Sequence, residues 1–169
     1  MAVTIFSIVF VAAAGAFFSG VKLWGRISKV DAPAMFIVVD LQKLAKDLRQ
    51  AVDIPLIGFT GAERELSFPV IDDIHVARVV YTFDPNKKEL VRKIHMFDPA
   101  AQEGRPEGDP VITKILQADE MTFSYLDRSG QEPEWQDAWL KDKGMFRAVR
   151  VEGAFKGEPF TKIIILPQA

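Results

Sequence analysis

The chain has 169 residues, of which 49% are hydrophobic, and a formal charge of −2, so it suits one domain plus an apolar appendage. The first thirty residues carry Lys22, Arg26 and Lys29 and no acid, which leaves the remainder at −5. That is an ordinary balance for a soluble domain, and it argues against nucleic acid, whose phosphates call for a basic face. No cysteine is present, which excludes a disulfide framework, a thiolate nucleophile and a cysteine zinc site.

Residues Ala2 to Val21 contain no charge, and twenty helical residues rise about 30 Å, the thickness of a bilayer's hydrocarbon core. In lipid such a segment satisfies its backbone only as a helix. Ile5, Phe6, Val9, Phe10, Phe17, Phe18 and Val21 are the large apolar side chains expected to meet lipid or neighbouring helices. Lys22, Trp24 and Arg26 follow at once, the residue types that anchor at a membrane interface. Thr4, Ser7, Gly15, Ser19 and Gly20 are small enough to let other helices approach. The chain thus divides into a membrane or filament-core helix over residues 1–30 and a globular domain over 31–169. The positive charges after the span would by themselves place that domain in the cytoplasm.

Asp31-Ala-Pro33 is a helix-start signal, since Asp caps and Pro is tolerated in a first turn. Ile37, Leu41, Leu44, Leu48 and Val52 then recur at steps of three and four, an apolar stripe that predicts an amphipathic helix over 32–53. These five residues are the expected seam between helix and sheet. Asp40, Lys43, Asp47 and Gln50 are expected to face elsewhere, with Lys43 and Asp47 one turn apart. Pro55 ends the helix.

Period two takes over after Pro55. Leu66 and Phe68 alternate with polar neighbours before Pro69, and Ala77, Val79, Tyr81 and Phe83 alternate against Arg78 and Thr82. Asp84-Pro-Asn-Lys87 is a turn, and Leu90 to Met96 returns as the partner strand. Residues Asp98 to Pro110 read as a solvated loop with three prolines and two glycines; their acids match no calcium-binding spacing. Val111 to Leu116 is ambiguous. Met121, Phe123 and Tyr125 alternate up to the turn Asp127-Arg-Ser-Gly130. Phe146 to Phe155 and Phe160 to Leu166 flank Lys156-Gly-Glu158 as a closing hairpin.

Catalytic signals are sparse. His75 neighbours Asp72 and Asp73 in sequence and His95 falls on a strand, but there is no nucleophile elbow, phosphate loop or metal-ligand pair. The expectation is a protein without enzymatic activity, cofactor or small-molecule substrate. Trp135 and Trp139 lie four apart and are candidate partner contacts, because Trp is over-represented at interfaces; packing onto the sheet is the competing role.

The order of these features resembles the type IV pilins and the pseudopilins of type II secretion, most closely the J-type minor pseudopilins. The resemblance is carried by Leu41-Gln-Lys-Leu-Ala-Lys-Asp-Leu-Arg-Gln-Ala51, Leu66-Ser-Phe68, Val79 to Asp84, and Leu90-Val-Arg92. It continues through Phe123-Ser-Tyr-Leu-Asp127, Trp135 with Trp139, Ala148-Val-Arg-Val151 and Ile163-Ile-Ile-Leu-Pro167. It implies an α+β, pilin-like fold, with a long N-terminal helix, apolar then amphipathic, packed on an antiparallel sheet. It also implies a structural role near a filament tip, other minor pseudopilins or pilins as partners, and a periplasmic domain on a single inner-membrane span. The family's basic leader, Gly-Phe cleavage site and early glutamate do not appear here, and position 5 is Ile5. Met1-Ala-Val-Thr-Ile5 reads as the continuation of such a start, so a leader and a few mature residues are expected upstream. A basic leader would set the domain outside the cytoplasm. The other reading is a bitopic membrane protein with an extracytoplasmic ligand- or partner-binding β domain.

Overall fold

A stretch of eighteen residues from Ala32 to Arg49 forms the helix α1, and almost everything after it is strand. The computed structural model describes residues 32–72, 75–97, 106–127 and 134–167. Among these residues no helix is long and apolar enough to cross a membrane. The membrane or filament helix with Ile5, Phe6, Val9, Phe10, Phe17, Phe18 and Val21, the anchors Lys22, Trp24 and Arg26, and the Asp31 cap lie outside them, as does most of the loop from Asp98.

Leucine-rich sequence without glycine favours α1, and Lys46 and Arg49 in its last turn oppose the helix dipole. The helix ends where Gln50 N donates to the carbonyls of both Lys46 and Asp47. Ala51 then joins an antiparallel bridge with Val70, and Val52 N donates to Pro69 O. Val52 is therefore outside the helix, half-buried beside the sheet.

Among the described residues nine strands follow, β1 (Thr60–Ala62), β2 (Glu65–Asp72), β3 (His75–Asp84), β4 (Glu89–Phe97), β5 (Pro106–Gln117), β6 (Glu120–Leu126), β7 (Trp135–Gln136), β8 (Ala148–Phe155) and β9 (Glu158–Ile165). They make two antiparallel sheets, one in the order β1-β2-β3-β4-β5 and one in the order β7-β6-β8-β9. This corrects the expected fold. The described residues are mostly β, with one short helix and two sheets, and are not a long helix packed on a sheet. The chain changes sheets at Ala118 and Asp119. There Ala118 N donates to Lys88 O and Asp119 N to Ala154 O, so the two residues are held by a hairpin of each sheet.

Local chemistry sets the turns. Asp84 Oδ1 accepts from the backbone of Asn86 and Lys87 and shapes the β3–β4 hairpin. Lys156 and Gly157, at φ 54° and 81°, form the two-residue β8–β9 turn, where both positions need positive φ. One core joins the layers: Leu41, Leu44 and Leu48 of α1 belong to a single buried cluster with Leu66, Phe68, Val79 and Tyr81 of the first sheet and Phe123, Tyr125, Val149 and Val151 of the second. Full burial of each such aliphatic or aromatic side chain stabilises by about 1.5–3 kcal/mol.

Candidate functional site

Ile37, Leu41, Leu44 and Leu48 are buried in the core, and one flank of the same helix carries polar chemistry into the interior. Asp47 is only 4% exposed. At 100° per residue it sits about 60° round the helix from Leu44, on the border of the apolar stripe. Tyr81 on β3 and Arg92 on β4 are direct cross-strand partners and so share one face of the first sheet. Tyr81 Oη donates to Asp47 Oδ2 at 2.8 Å, and Arg92 Nε donates to the same oxygen at 2.5 Å. Lys43 Nζ stands 3.8 Å from Asp47 Oδ1, at the outer limit of an ion pair.

Such a buried pair adds little net stability over apolar packing, but removing one partner strands a charge and costs about 3–5 kcal/mol. Burial raises the Tyr81 hydroxyl's pKa well above the usual tyrosine value, and the Asp47 carboxylate raises it further. The phenol is held neutral, as a donor. A pocket of about 250 Å³ opens beside this triad, rimmed by Lys43, Lys46, Gln50 and Arg92 and floored by Val79 and Ile94.

The other sequence-selected residues lie apart from it. His75 is exposed at the start of β3, and His95 is half-buried on β4 opposite Arg78. Arg78 Nη2 donates to Ile57 O at 3.2 Å and its guanidinium lies 5.5 Å from the centre of the Phe97 ring. Among the described residues no group of three or more His, Asp or Glu is arranged to hold a metal ion.

The two tryptophans separate. Trp139 is buried, exchanges backbone hydrogen bonds with Gly61, and donates its indole N–H to Gly144 O at 2.7 Å. It meets Phe146 edge-on at 5.8 Å, so its polar and apolar parts are both engaged within the domain. Trp135 is half-buried on β7, with the Arg150 guanidinium 4.8 Å from its ring centre.

Sequence reasoning missed Asp47, Tyr81 and Arg92 as a unit. The available signal was an acid three residues beyond Leu44 and one before Leu48, inside the margin of the apolar stripe. Its basic partner could not be found by local pattern, because Arg92 lies 45 residues away. Comparison with family models, with curated proteins and with solved structures returns no match.

Proposed function

We propose that the chain is a non-enzymatic structural subunit of a type II secretion pseudopilus or related pilus-like filament, similar in role to the J-type minor pseudopilins. The observation that carries this reading is the uncharged run from Ala2 to Val21 in a chain whose helix α1 is built into a β-rich domain by its leucine side. The apolar segment rests in the inner membrane with the domain on the extracytoplasmic side. On assembly it leaves lipid for the packed helices of a filament, a near-balanced exchange because lipid tails and helix surfaces are similarly apolar.

The domain's surface is compatible with lateral contacts. Edge strand β5 exposes Val111 and Ile112, and edge strand β9 exposes Ile163 and Ile165. Apolar β-branched residues on an edge strand favour pairing with another chain.

Affinity purification of the full chain from membranes, after mild cross-linking, tests the proposal. Recovery with other minor pilin-like proteins is expected, and substituting Phe10 and Phe17 by Lys should abolish it. A stable membrane monomer without such partners would reject the filament role and favour the bitopic binding protein.

A further inference from the structure

Lys43, Lys46 and Asp47 of α1 and Gln50 just past its end follow one another round a single flank, within an arc of about 100° at 3.6 residues per turn. That flank faces the part of the first sheet that presents Arg92 and Ile94, and the space between them is the 250 Å³ pocket. The volume suits a group of a few heavy atoms, several times the roughly 30 Å³ share of one water.

The charges do not cancel. Arg92 is matched by Asp47 through its Nε, and Lys43 is at the limit of reach of the same carboxylate. The side chains of Lys46 and Gln50 have no partner among the described residues. Three cations against one buried anion leave the rim at +2 in a chain whose total is −2. The Arg92 side chain is only 12% exposed, so a group bound beside it would meet a partly desolvated, fixed guanidinium. The guanidinium edge that Asp47 leaves free presents parallel N–H donors, which match the two in-plane oxygens of a carboxylate.

We propose that this pocket binds a carboxylate group, between the Lys43 and Lys46 ammonium groups and the free edge of Arg92, with the Gln50 amide as a neutral donor. The carboxylate belongs either to a free small acid or to an acidic side chain of another protein. This assignment rests on the pocket alone and is independent of the filament reading.

The test is titration of the purified full chain with glutarate, with a short glutamate-containing peptide and with inorganic phosphate, followed through the backbone amide signals of Gln50 and Ile94. Saturable shifts with glutarate support a free acid, and saturable shifts with the peptide alone support an acidic side chain. Lys43→Ala with Lys46→Ala should weaken binding at least about tenfold, since hydrogen bonds to charged groups each contribute that order of affinity. Both lysines are exposed, so the double variant keeps the fold, which unchanged amide spectra elsewhere would verify. No saturable shift with either carboxylate, equal binding by the double variant, or tighter binding of phosphate than of glutarate would overturn the assignment.

Discussion

Both tyrosines of the chain are fully buried, and each hydroxyl meets an acceptor of a different kind. Tyr81 donates to the Asp47 carboxylate, whereas Tyr125 Oη lies 2.8 Å from Glu65 O and 2.9 Å from Ala62 O. Burial is the main cause that raises both pKa values, helped by Asp47 at Tyr81 and by the Glu65 charge at Tyr125. A folded-state pKa above the unfolded one favours the native state in full only while the unfolded tyrosine also stays protonated. Stability is therefore expected to hold up to about pH 10, where unfolded tyrosine ionises, and to fall as pH rises beyond it. Phenolate absorbance should stay absent in the folded protein through that pH and then appear together with loss of the β-sheet circular dichroism signal. A gradual phenolate titration centred near pH 10 on folded protein would contradict the burial of both hydroxyls. Tyr81→Phe should remove one phenolate from the final amplitude and leave Asp47 paired with Arg92, at a cost of about 1–3 kcal/mol for the lost donor.

Where β1 meets β6, the two sheets come together on a glycine. A Cβ built on Gly61 would fall 2.2 Å from Tyr125 Cζ, while Gly61 also exchanges backbone hydrogen bonds with Trp139. The Tyr125 ring is buried and its hydroxyl is tied to Ala62 O and Glu65 O, so Gly61→Ala should destabilise by about 1–3 kcal/mol, the usual cost of overpacking. Denaturant melts should show a lower midpoint with an unchanged slope. An unchanged midpoint would mean that the ring yields freely and that the junction is loose. This junction marks the limit of what the sequence reveals. Alternation in β3 was legible because buried Ala77, Val79, Tyr81 and Phe83 lie at every second position. The Asp84 and Gly157 turns were legible because short-range chemistry sets them. Strand β5 begins at Pro106, inside the expected loop, because Pro110 falls in the register irregularity between Glu107 and Val111 of this edge strand, where its missing N–H breaks no regular pair. Strand β2 runs through Pro69 for a related reason, since its pairing with β1 reaches only Ser67. The partition into two sheets was not legible, because β6 lies between β7 and β8 through contacts that no local pattern encodes. The burial of Asp47, expected to face away from the apolar stripe, was not legible for the same reason: the partners that make it tolerable come from β3 and β4.

Across residues 36–169 the helix and both sheets share one set of buried side chains, and this decides how the domain should come apart. If each sheet had its own core, the β8–β9 hairpin could persist after the β3–β4 hairpin had opened. Instead Leu44 is fully buried in a cluster that contains Tyr81 and Phe83 from one sheet and Val149 and Val151 from the other. Lys88 and Gly157, from the β3–β4 and β8–β9 turns, bond the two oxygens of Asp119, at 3.0 and 3.2 Å. Opening either sheet exposes the apolar face of the other, so partial unfolding forfeits burial on both sides and intermediates are disfavoured. Leu44→Ala, which removes a side chain from the helix alone, should cost about 2–5 kcal/mol. It should lower the hydrogen-exchange protection of Val79 in β3 and Val151 in β8 by the same amount. Loss of protection confined to the first sheet would show two independent cores and refute the single cooperative unit. Equal loss at both strands would mean that the helix flank bearing Lys43, Asp47 and Gln50 is held in place by the stability of the whole domain.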